Sequence, residues 1–162
     1  VVVTLVGDGP EQAALAAQVE RLGLGERIDM VGAKDNHAVR AMLGEADAFV
    51  LPCRVAASGD RDGIPVVLME AMAAGLPVIS GDLPTIRELV EHDKTGLLID
   101  PEDSTALPAA IARLRDDAAL RKRLADAGRR RVQEEFSAAV NLERIEHALL
   151  QAMPAPCGKG AA

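Results

Sequence analysis

Short apolar runs alternate with helical patterns along roughly the first hundred residues, and no other feature of the sequence constrains the fold as strongly. The runs are rich in Val, Ile and Leu and lie at residues 1–6, 28–31, 47–52, 77–80 and 96–99. Helical patterns lie between them at 11–22, 36–45, 65–74 and 84–91. This alternation predicts a parallel sheet with helices on both faces, and near-continuous apolar runs suit strands that are buried on two sides.

Beyond residue 100 the pattern is helical. Helices are predicted near 104–116, 117–135 and 137–150, followed by a tail rich in Pro, Gly and Ala. We therefore predict one doubly wound α/β domain over residues 1–150, with C-terminal helices, and a disordered tail over 151–162. Because the chain opens inside an apolar strand, we interpret the domain as truncated at its N-terminal edge; processing of a complete domain is the alternative.

Composition excludes several classes of partner. The formal net charge of −7 argues against nucleic acid, and the absence of Trp and Tyr weakens a single-stranded nucleic-acid hypothesis further. No apolar run approaches the roughly 20 residues that a membrane span needs. Two cysteines, Cys53 and Cys157, make no disulfide framework, so we expect a reducing, cytoplasmic setting.

The loops that follow the apolar runs are the candidate ligand sites, because ligands of doubly wound sheets bind outside the carboxyl ends of the strands. Gly7 and Gly9 lie between the first run and a helix, where the backbone can approach a ligand and a helix N-terminus attracts phosphate. Gln12 occupies the third position of the dinucleotide-binding glycine pattern, so that pattern is incomplete. A tight strand-to-helix turn explains these glycines equally well.

The loop over residues 53–64 is long for a connection in an α/β unit, and long loops there are often functional. It ends at Gly63, and Pro65 then suits the first position of an apolar helix. A helix N-terminus with accessible amides is a good site for an anion. The sequence therefore predicts a phosphate-binding helix tip at this point.

Glu70 stands alone among apolar residues inside that helix. We therefore expect the helix to be largely buried, and a buried carboxylate is costly unless it is paired or hydrogen-bonded. It lies one turn after Val66, so it points along the face that leads from the loop, and a sugar diol would suit it because two hydroxyls can donate to one carboxylate. The alternative is a structural ion pair with Arg54 or Arg87.

Metal and catalytic-triad chemistry find little support. Asp60 and Asp62 are spaced as in some metal-dependent transferases, but solvated acids in a charged loop are the more common finding, and we predict no metal. His37, His92 and His147 are scattered, and their spacing suggests no nucleophile–histidine grouping. We expect all three histidines to be surface residues.

The segment 62–79, DGIPVVLMEAMAAGLPVI, closely resembles the signature of the group-1, or family 4, retaining glycosyltransferases. These enzymes have the GT-B fold, in which two Rossmann-like domains face each other across a cleft. Their motif is two glutamates separated by seven residues; here Glu70 is the second acid, and Asp62, one methylene shorter, stands at the first position. Segments 5–11, 31–32, 46–52, 81–90 and 95–98 fit in the same order, so the resemblance covers about residues 4–150.

The resemblance implies roles for the matching positions of the C-terminal, donor-binding half. Asp62 would contact hydroxyls of the donor sugar, and Glu70 would hold the ribose hydroxyls. The loop after Gly32 would lie by the base, and the helix-tip amides would face the sugar and the diphosphate. The implied donor-binding positions are Gly7, Gly9, Gly32, Ala33, Lys34, Gly63, Ile64, Pro65 and Val66.

The resemblance also implies the reaction and its partners. The donor would be a nucleoside diphosphate sugar, transferred with retention by a front-face mechanism that requires no metal or other cofactor. The long, acid-rich loop before Asp62 looks similar to that of polysaccharide-building members, such as those of colanic-acid type. The chain lacks the family's N-terminal acceptor-binding domain and the basic residues that grip the diphosphate, so we expect it to be inactive alone. The full-length protein is expected to be cytoplasmic, with the possibility of a peripheral position at the inner membrane surface.

Two other classes are weighed against this one. A nucleotide-sugar epimerase shares the GT-B plan but should carry further catalytic acids and histidines around its cleft, and this chain offers few. A stand-alone α/β nucleotide-binding or regulatory module without transferase activity is the other alternative. A receiver-like module would need an acidic cluster after the first strand, where only Asp8 is found.

Overall fold

The computed structural model describes residues 1–54 and 63–152 of the chain. They form two compact units, the first spanning Val1–Ala46 and the second beginning at Asp47. Strands and helices follow one another in the predicted order, and the strand pairs that the structure describes are parallel. The predicted class, α/β with parallel sheets flanked by helices, is confirmed.

The first unit contains two strands and two helices. They are β1 (Val3–Val6), α1 (Gln12–Arg21), β2 (Ile28–Gly32) and α2 (Asn36–Glu45). Helix α1 ends at Arg21, and Gly23 follows its C-cap with a φ of 65°, the left-handed conformation expected after a helix C-terminus. Helix α2 starts at Asp35, whose carboxylate accepts a hydrogen bond from the Ala38 amide at 2.8 Å.

The second unit holds a three-stranded sheet in the order β3-β4-β5. Its elements are β3 (Phe49–Leu51), α3 (Val66–Ala74), β4 (Val78–Gly81), α4 (Pro84–Arg87), β5 (Leu97–Ile99), α5 (Ala106–Asp116), α6 (Ala118–Glu135) and α7 (Ala138–Ala152). Within the described ranges, no helix is both long enough and apolar enough to cross a membrane.

Three features differ from the sequence prediction or extend it. The strands pair into two sheets, β1-β2 and β3-β4-β5, where one sheet was predicted. Apolar patterning identifies strands but not their partners, so it could not predict this division. Helix α4 ends at Arg87 rather than residue 91, since the chain turns and the Thr95 hydroxyl accepts the Glu91 amide at 2.8 Å. Helix α7 continues to Ala152, and residues 153–162 of the predicted tail lie outside the described residues. A single domain over 1–150 stays a prediction.

The core of the second unit lies between its sheet and helices α5 and α6. Ile79, Leu97 and Ile99 from the strands meet Leu114 and Leu124 from the helices. Each such side chain contributes about 1.5–3 kcal/mol when it is fully buried. Helices α5 and α6 therefore hold the sheet that positions the loops at its carboxyl edge.

A glycine lets α6 approach α3 closely. A Cβ added at Gly128 would lie 2.9 Å from the carbonyl oxygen of Thr95 and 3.3 Å from Cε of Met72. Met72 is completely buried on α3. Gly128 therefore allows α6 to seat α3 against the turn that precedes β5.

A second glycine brings the ends of β3 and β4 together. A Cβ added at Gly81 would lie 1.9 Å from the carbonyl oxygen of Cys53, a backbone atom that cannot swing aside as a flexible side chain would. Ser80 is also fully buried, and its hydroxyl donates to the carbonyl of Leu51 at 2.8 Å. The carboxyl ends of these two strands are thus locked by a close approach and a buried hydrogen bond.

Replacing Gly81 by Ala should therefore destabilise the protein. Overpacking a tight site typically costs about 1–3 kcal/mol, and this contact is with backbone, so we expect the upper part of that range. Urea unfolding followed by circular dichroism measures the change. Gly25→Ala is the matched control, because a Cβ there meets nothing within 4 Å; equal midpoints for the two variants would contradict the close-approach argument.

Candidate functional site

In the first unit, the carboxyl ends of the two strands meet at a pair of glycines. The Gly7 amide donates to the Gly32 carbonyl at 3.0 Å. Their φ values are 130° and 69°, which side chains with a Cβ rarely adopt. The structure thus brings together two of the predicted donor-binding positions and shows that both have a conformational reason to be glycine.

Gly9 differs from Gly7 and Gly32. Its φ is not positive, an added Cβ would meet nothing within 4 Å, and its carbonyl accepts the Gln12 amide at 3.1 Å as α1 begins. The geometry of the turn therefore does not require glycine here, and open space remains beside its Cα. The tight-turn hypothesis accounts for Gly7 but not for Gly9.

Ala33 and Lys34 lie in the short connection between β2 and α2, and both are exposed. Asp35 follows immediately and caps α2. The Lys34 ammonium is thus an exposed cation two residues after Gly32, at the carboxyl edge of the β1-β2 sheet. That placement is suitable for an anionic or polar ligand, as predicted for these positions.

In the second unit, helix α3 begins without a side-chain cap. Pro65 is its N-cap, with φ −65° and ψ 125°, so the helix begins at Val66, one residue later than the sequence pattern suggested. The Pro65 carbonyl accepts the Leu68 amide at 3.1 Å and the Met69 amide at 3.4 Å. Proline has neither a hydrogen-bonding side chain nor an amide proton. The amides of Val66 and Val67 are therefore the first of the helix, and neither has an acceptor within it. This end of α3 carries the positive partial charge of the helix dipole.

Glu70 lies on the solvent side of α3 rather than in its core. Leu68, Ala71 and Met72 face inward and are fully buried, whereas Glu70 is half-buried and shares its face with Val66, which is 64% exposed. The expectation of a buried carboxylate was therefore wrong. The helix is apolar all round in sequence, yet only one of its faces is covered, so composition could not reveal which face Glu70 takes.

The predicted position of Glu70 relative to the helix tip does hold. Residues four apart lie on one helix face, so the carboxylate is one turn along from the Val66 amide that opens α3. Gly63 is exposed, and Ile64 and Pro65 are half-buried, as the chain enters the helix. An uncapped helix end and a carboxylate that can accept hydrogen bonds from hydroxyls thus lie on adjoining turns.

Asp62, the other predicted catalytic acid, lies outside the described residues, as does Asp60. Among residues 1–54 and 63–152, no three His, Cys, Asp or Glu side chains group in a way that could hold a metal ion. The predicted absence of a metal at the site stays a prediction. His37, His92 and His147 are exposed, as expected.

An ion pair at the carboxyl end of β4 was not predicted from the sequence. Arg87 Nε and Nη2 donate to the two carboxylate oxygens of Asp82 at 2.6 and 2.7 Å. The hydrogen bond from this guanidinium lowers the pKa of Asp82 below its ordinary value, although partial burial opposes the shift. Asp82 directly follows β4, and Arg87 ends α4. A sequence signal for the pair was therefore available, namely an acid at a strand end followed by an arginine at the end of the next helical turn. The sequence suggested Arg87 only as an ion-pair partner for Glu70.

Parallel sheets with glycine turns and an uncapped helix N-terminus at their carboxyl edges define an α/β protein of the kind that binds phosphate-bearing ligands. Comparison with known families gives a specific assignment. The chain belongs to the glycosyl transferases group 1 family, whose sequence profile matches residues 1–131. The family resemblance predicted from the sequence is confirmed.

Its relatives include enzymes of bacterial polysaccharide synthesis. The chain is 42% identical over 154 residues to the putative colanic acid biosynthesis glycosyltransferase WcaL of Escherichia coli K12, covering 92% of this chain and 37% of that protein. It is 38% identical over 146 residues to the amylovoran biosynthesis glycosyltransferase AmsK of Erwinia amylovora, covering 90% and 36%. The chain therefore spans little more than a third of the length of these relatives.

Solved structures share the fold. Anabaena HepE, determined in complex with UDP, matches with a TM-score of 0.81 and 26% identity, over 93% of this chain and 41% of that one. The C-terminal domain of the group 1 glycosyltransferase LpcC from Francisella tularensis matches with a TM-score of 0.65 over 78% of this chain and 63% of that domain; at 21% identity it shows the fold alone. These likenesses confirm that the chain has the architecture of the C-terminal half of a GT-B glycosyltransferase.

Gly7 and Gly9 should respond differently to substitution by alanine. Gly7→Ala forces a side chain into a conformation that costs about 1–3 kcal/mol, so the first unit should lose stability. Gly9→Ala should leave stability nearly unchanged, yet weaken UDP or GDP binding if open space at Gly9 serves a ligand. Thermal unfolding and calorimetric titration of both variants measure the two effects. A Gly9→Ala variant that binds nucleotide as the parent does would remove Gly9 from the site.

Proposed function

We propose that this chain is the nucleotide-sugar-binding part of a retaining glycosyltransferase that acts in polysaccharide biosynthesis. The full-length enzyme would transfer a hexosyl group from a nucleoside diphosphate sugar to a glycan or lipid-linked acceptor. The observation that carries the proposal is the tip of α3, where an uncapped helix N-terminus and Glu70 lie on adjoining turns in a chain of this family. The complex of HepE with UDP supports the class of donor.

The tip of α3 would hold the charged part of the donor. The amides of Gly63, Ile64, Val66 and Val67, together with the helix dipole, favour a diphosphate, whose negative charge grows as the sugar departs. Stabilisation of the departing diphosphate lowers the barrier to transfer because it is stronger in the transition state than in the ground state. In this proposal the helix end takes the part that a bound cation plays in other transferases, and no metal is required.

The two acids would orient the two sugars of the donor. Glu70 would accept hydrogen bonds from both ribose hydroxyls, a task that needs an ionised carboxylate and not a buried neutral acid. Asp62 would contact hydroxyls of the transferred sugar. The base would lie by Ala33 and Lys34, with Gly7, Gly9 and Gly32 allowing close backbone approach. Holding the donor in one geometry is itself a large part of catalysis.

The proposed reaction takes place on one face of the sugar. The bond from the anomeric carbon to the diphosphate breaks, and a bond from that carbon to the acceptor oxygen forms on the same side. The proton of the acceptor hydroxyl passes to the departing diphosphate oxygen. The acceptor would be bound by a separate N-terminal domain. The full-length enzyme would work in the cytoplasm, with a peripheral position at the inner membrane surface when its acceptor is lipid-linked.

Replacing Glu70 by Ala should abolish most of the nucleotide affinity with the fold intact. Loss of hydrogen bonds to a charged group typically costs about 1.5–3 kcal/mol, so binding should weaken by roughly 10- to 150-fold. Calorimetric titration with UDP, GDP and ADP measures the change and identifies the preferred base. Circular dichroism and thermal unfolding verify the fold.

Two further variants sharpen this test. Glu70→Gln keeps the shape but replaces one acceptor oxygen with a donor, so its affinity should fall between those of the parent and Glu70→Ala. Glu134→Ala removes an exposed acid from α6 and changes the net charge equally, so it should bind like the parent. If Glu134→Ala and Glu70→Ala bind nucleotide equally well, Glu70 is not a ribose-binding residue.

The 162-residue chain by itself should bind nucleotide weakly and transfer no sugar, because the acceptor-binding part of the proposed enzyme is not included in it. Incubation with radiolabelled UDP- and GDP-hexoses and a lipid-linked acceptor extract, followed by product separation, measures transfer. Robust turnover by the purified chain would contradict this prediction, and transfer by the full-length protein under the same conditions is the positive control.

A further inference from the structure

The outer edge of β5 presents a backbone amide that must find a partner. Strand β5 ends the β3-β4-β5 sheet, and the Asp82 amide donates to the Ile99 carbonyl on the side of β4 at 2.7 Å. Successive residues of a strand turn their backbone groups to opposite edges, so Leu98 directs its amide away from β4. Such open amides invite pairing with other chains unless something covers them.

The side chain of His92 covers this amide. The Leu98 amide donates to Nδ1 of His92 at 3.0 Å. A ring nitrogen that accepts a hydrogen bond carries no proton, so the proton of the neutral imidazole lies on Nε2. The interaction therefore requires the neutral ring in one tautomer.

Asp93 holds the ring in this orientation. Its Oδ2 lies 3.4 Å from Nε2 of His92, and its Oδ1 lies 2.7 Å from Nη1 of Arg113, a charge contact rather than an aligned hydrogen bond. Asp93 has a φ of 61°, unusual for a residue other than glycine, and Arg123 Nη1 donates to its carbonyl at 2.7 Å. Two arginines thus fix the residue that faces the proton-bearing side of the imidazole.

Charges around His92 are close to balanced, and the ring is open to solvent, with 52% of its side chain exposed. It lies in an open hollow of about 560 Å³. The acids facing it there are Asp82 and Glu91, the cations are Arg87 and Lys94, and Asp93 and Arg113 form the pair behind the ring. Protons can therefore reach the ring freely, and each neighbouring acid has a cationic partner of its own.

We propose that His92 is a proton-controlled latch on the outer edge of β5. The neutral ring accepts the Leu98 amide and closes the edge. The protonated ring places an N–H against another N–H, so the hydrogen bond is lost and the amide is released. Protonation of the His92 ring therefore opens the latch.

Amide hydrogen exchange of Leu98, measured by NMR on the full 162-residue chain between pH 5 and pH 8, tests the latch. The protection factor, corrected for the intrinsic pH dependence of exchange, should fall about tenfold on going from pH 8 to pH 5, as expected for loss of one hydrogen bond. The Asp82 amide, bonded to Ile99 inside the same sheet, should keep its protection. Parallel loss at Asp82 and Leu98 would show opening of the whole sheet and overturn the proposal.

A conservative variant separates the acceptor from its titration. His92→Asn offers an amide oxygen close to the position of Nδ1 but does not titrate in this range, so Leu98 should stay protected at every pH. His92→Leu removes the acceptor, so protection should be low throughout. A Leu98 protection factor that does not change with pH in the parent, or that changes equally in the His92→Asn variant, would refute the latch.

Discussion

The seating of α3 is the contact on which the rest of the site depends. Leu68, Ala71 and Met72 are completely buried on one face, and Gly128 allows α6 to approach that face closely. Removal of such apolar area from water fixes the rotation of the helix about its axis. Because the rotation is fixed, the opposite face, with Val66 and Glu70, must point to solvent. An apolar contact on one side of α3 thus decides where a carboxylate lies on the other.

Much of this was predictable from local pattern. The period of apolar residues located the strands and most helices. Among the described residues, only in the second unit do they bury a face in a core, since β1 is exposed along its length and α1 has no buried residue. The resemblance at residues 62–79 added a proposed role for the α3 tip, which Gly63 and Pro65 alone could only suggest. Pro65 before α3 marked the start of that helix through backbone conformation alone, which depends little on tertiary context.

Features set by distant contacts could not be predicted in the same way. Glu70 lies in a segment that is apolar all round, so its half-exposed position depends on the approach of α6 at Gly128, more than fifty residues later in the sequence. The early end of α4 depends on a hydroxyl from Thr95, and the Asp82–Arg87 pair depends on the turn between β4 and α4. The pairing of the strands into sheets is likewise a relation between segments, which patterning within each segment does not encode.

The polar interactions of the second unit are divided between the two edges of its sheet. The turn that leads into β5, at the amino edge, gathers Arg113, Arg123 and Arg131 onto Asp93, Glu91 and nearby carbonyls. At the carboxyl edge the strand ends are joined by neutral hydrogen bonds, such as those from the Ser80 hydroxyl and the Asp82 amide, and the Asp82–Arg87 ion pair lies beside them. The arginines of α5 and α6 that make these contacts are thus engaged in holding the fold, on a chain whose net charge is −7. An anion that approaches the carboxyl edge meets the oriented amides at the tip of α3, which favour a phosphate directly in line with the helix. Attraction of this kind depends on direction and distance more than on overall charge, so it is compatible with an acidic protein that selects one position for a diphosphate.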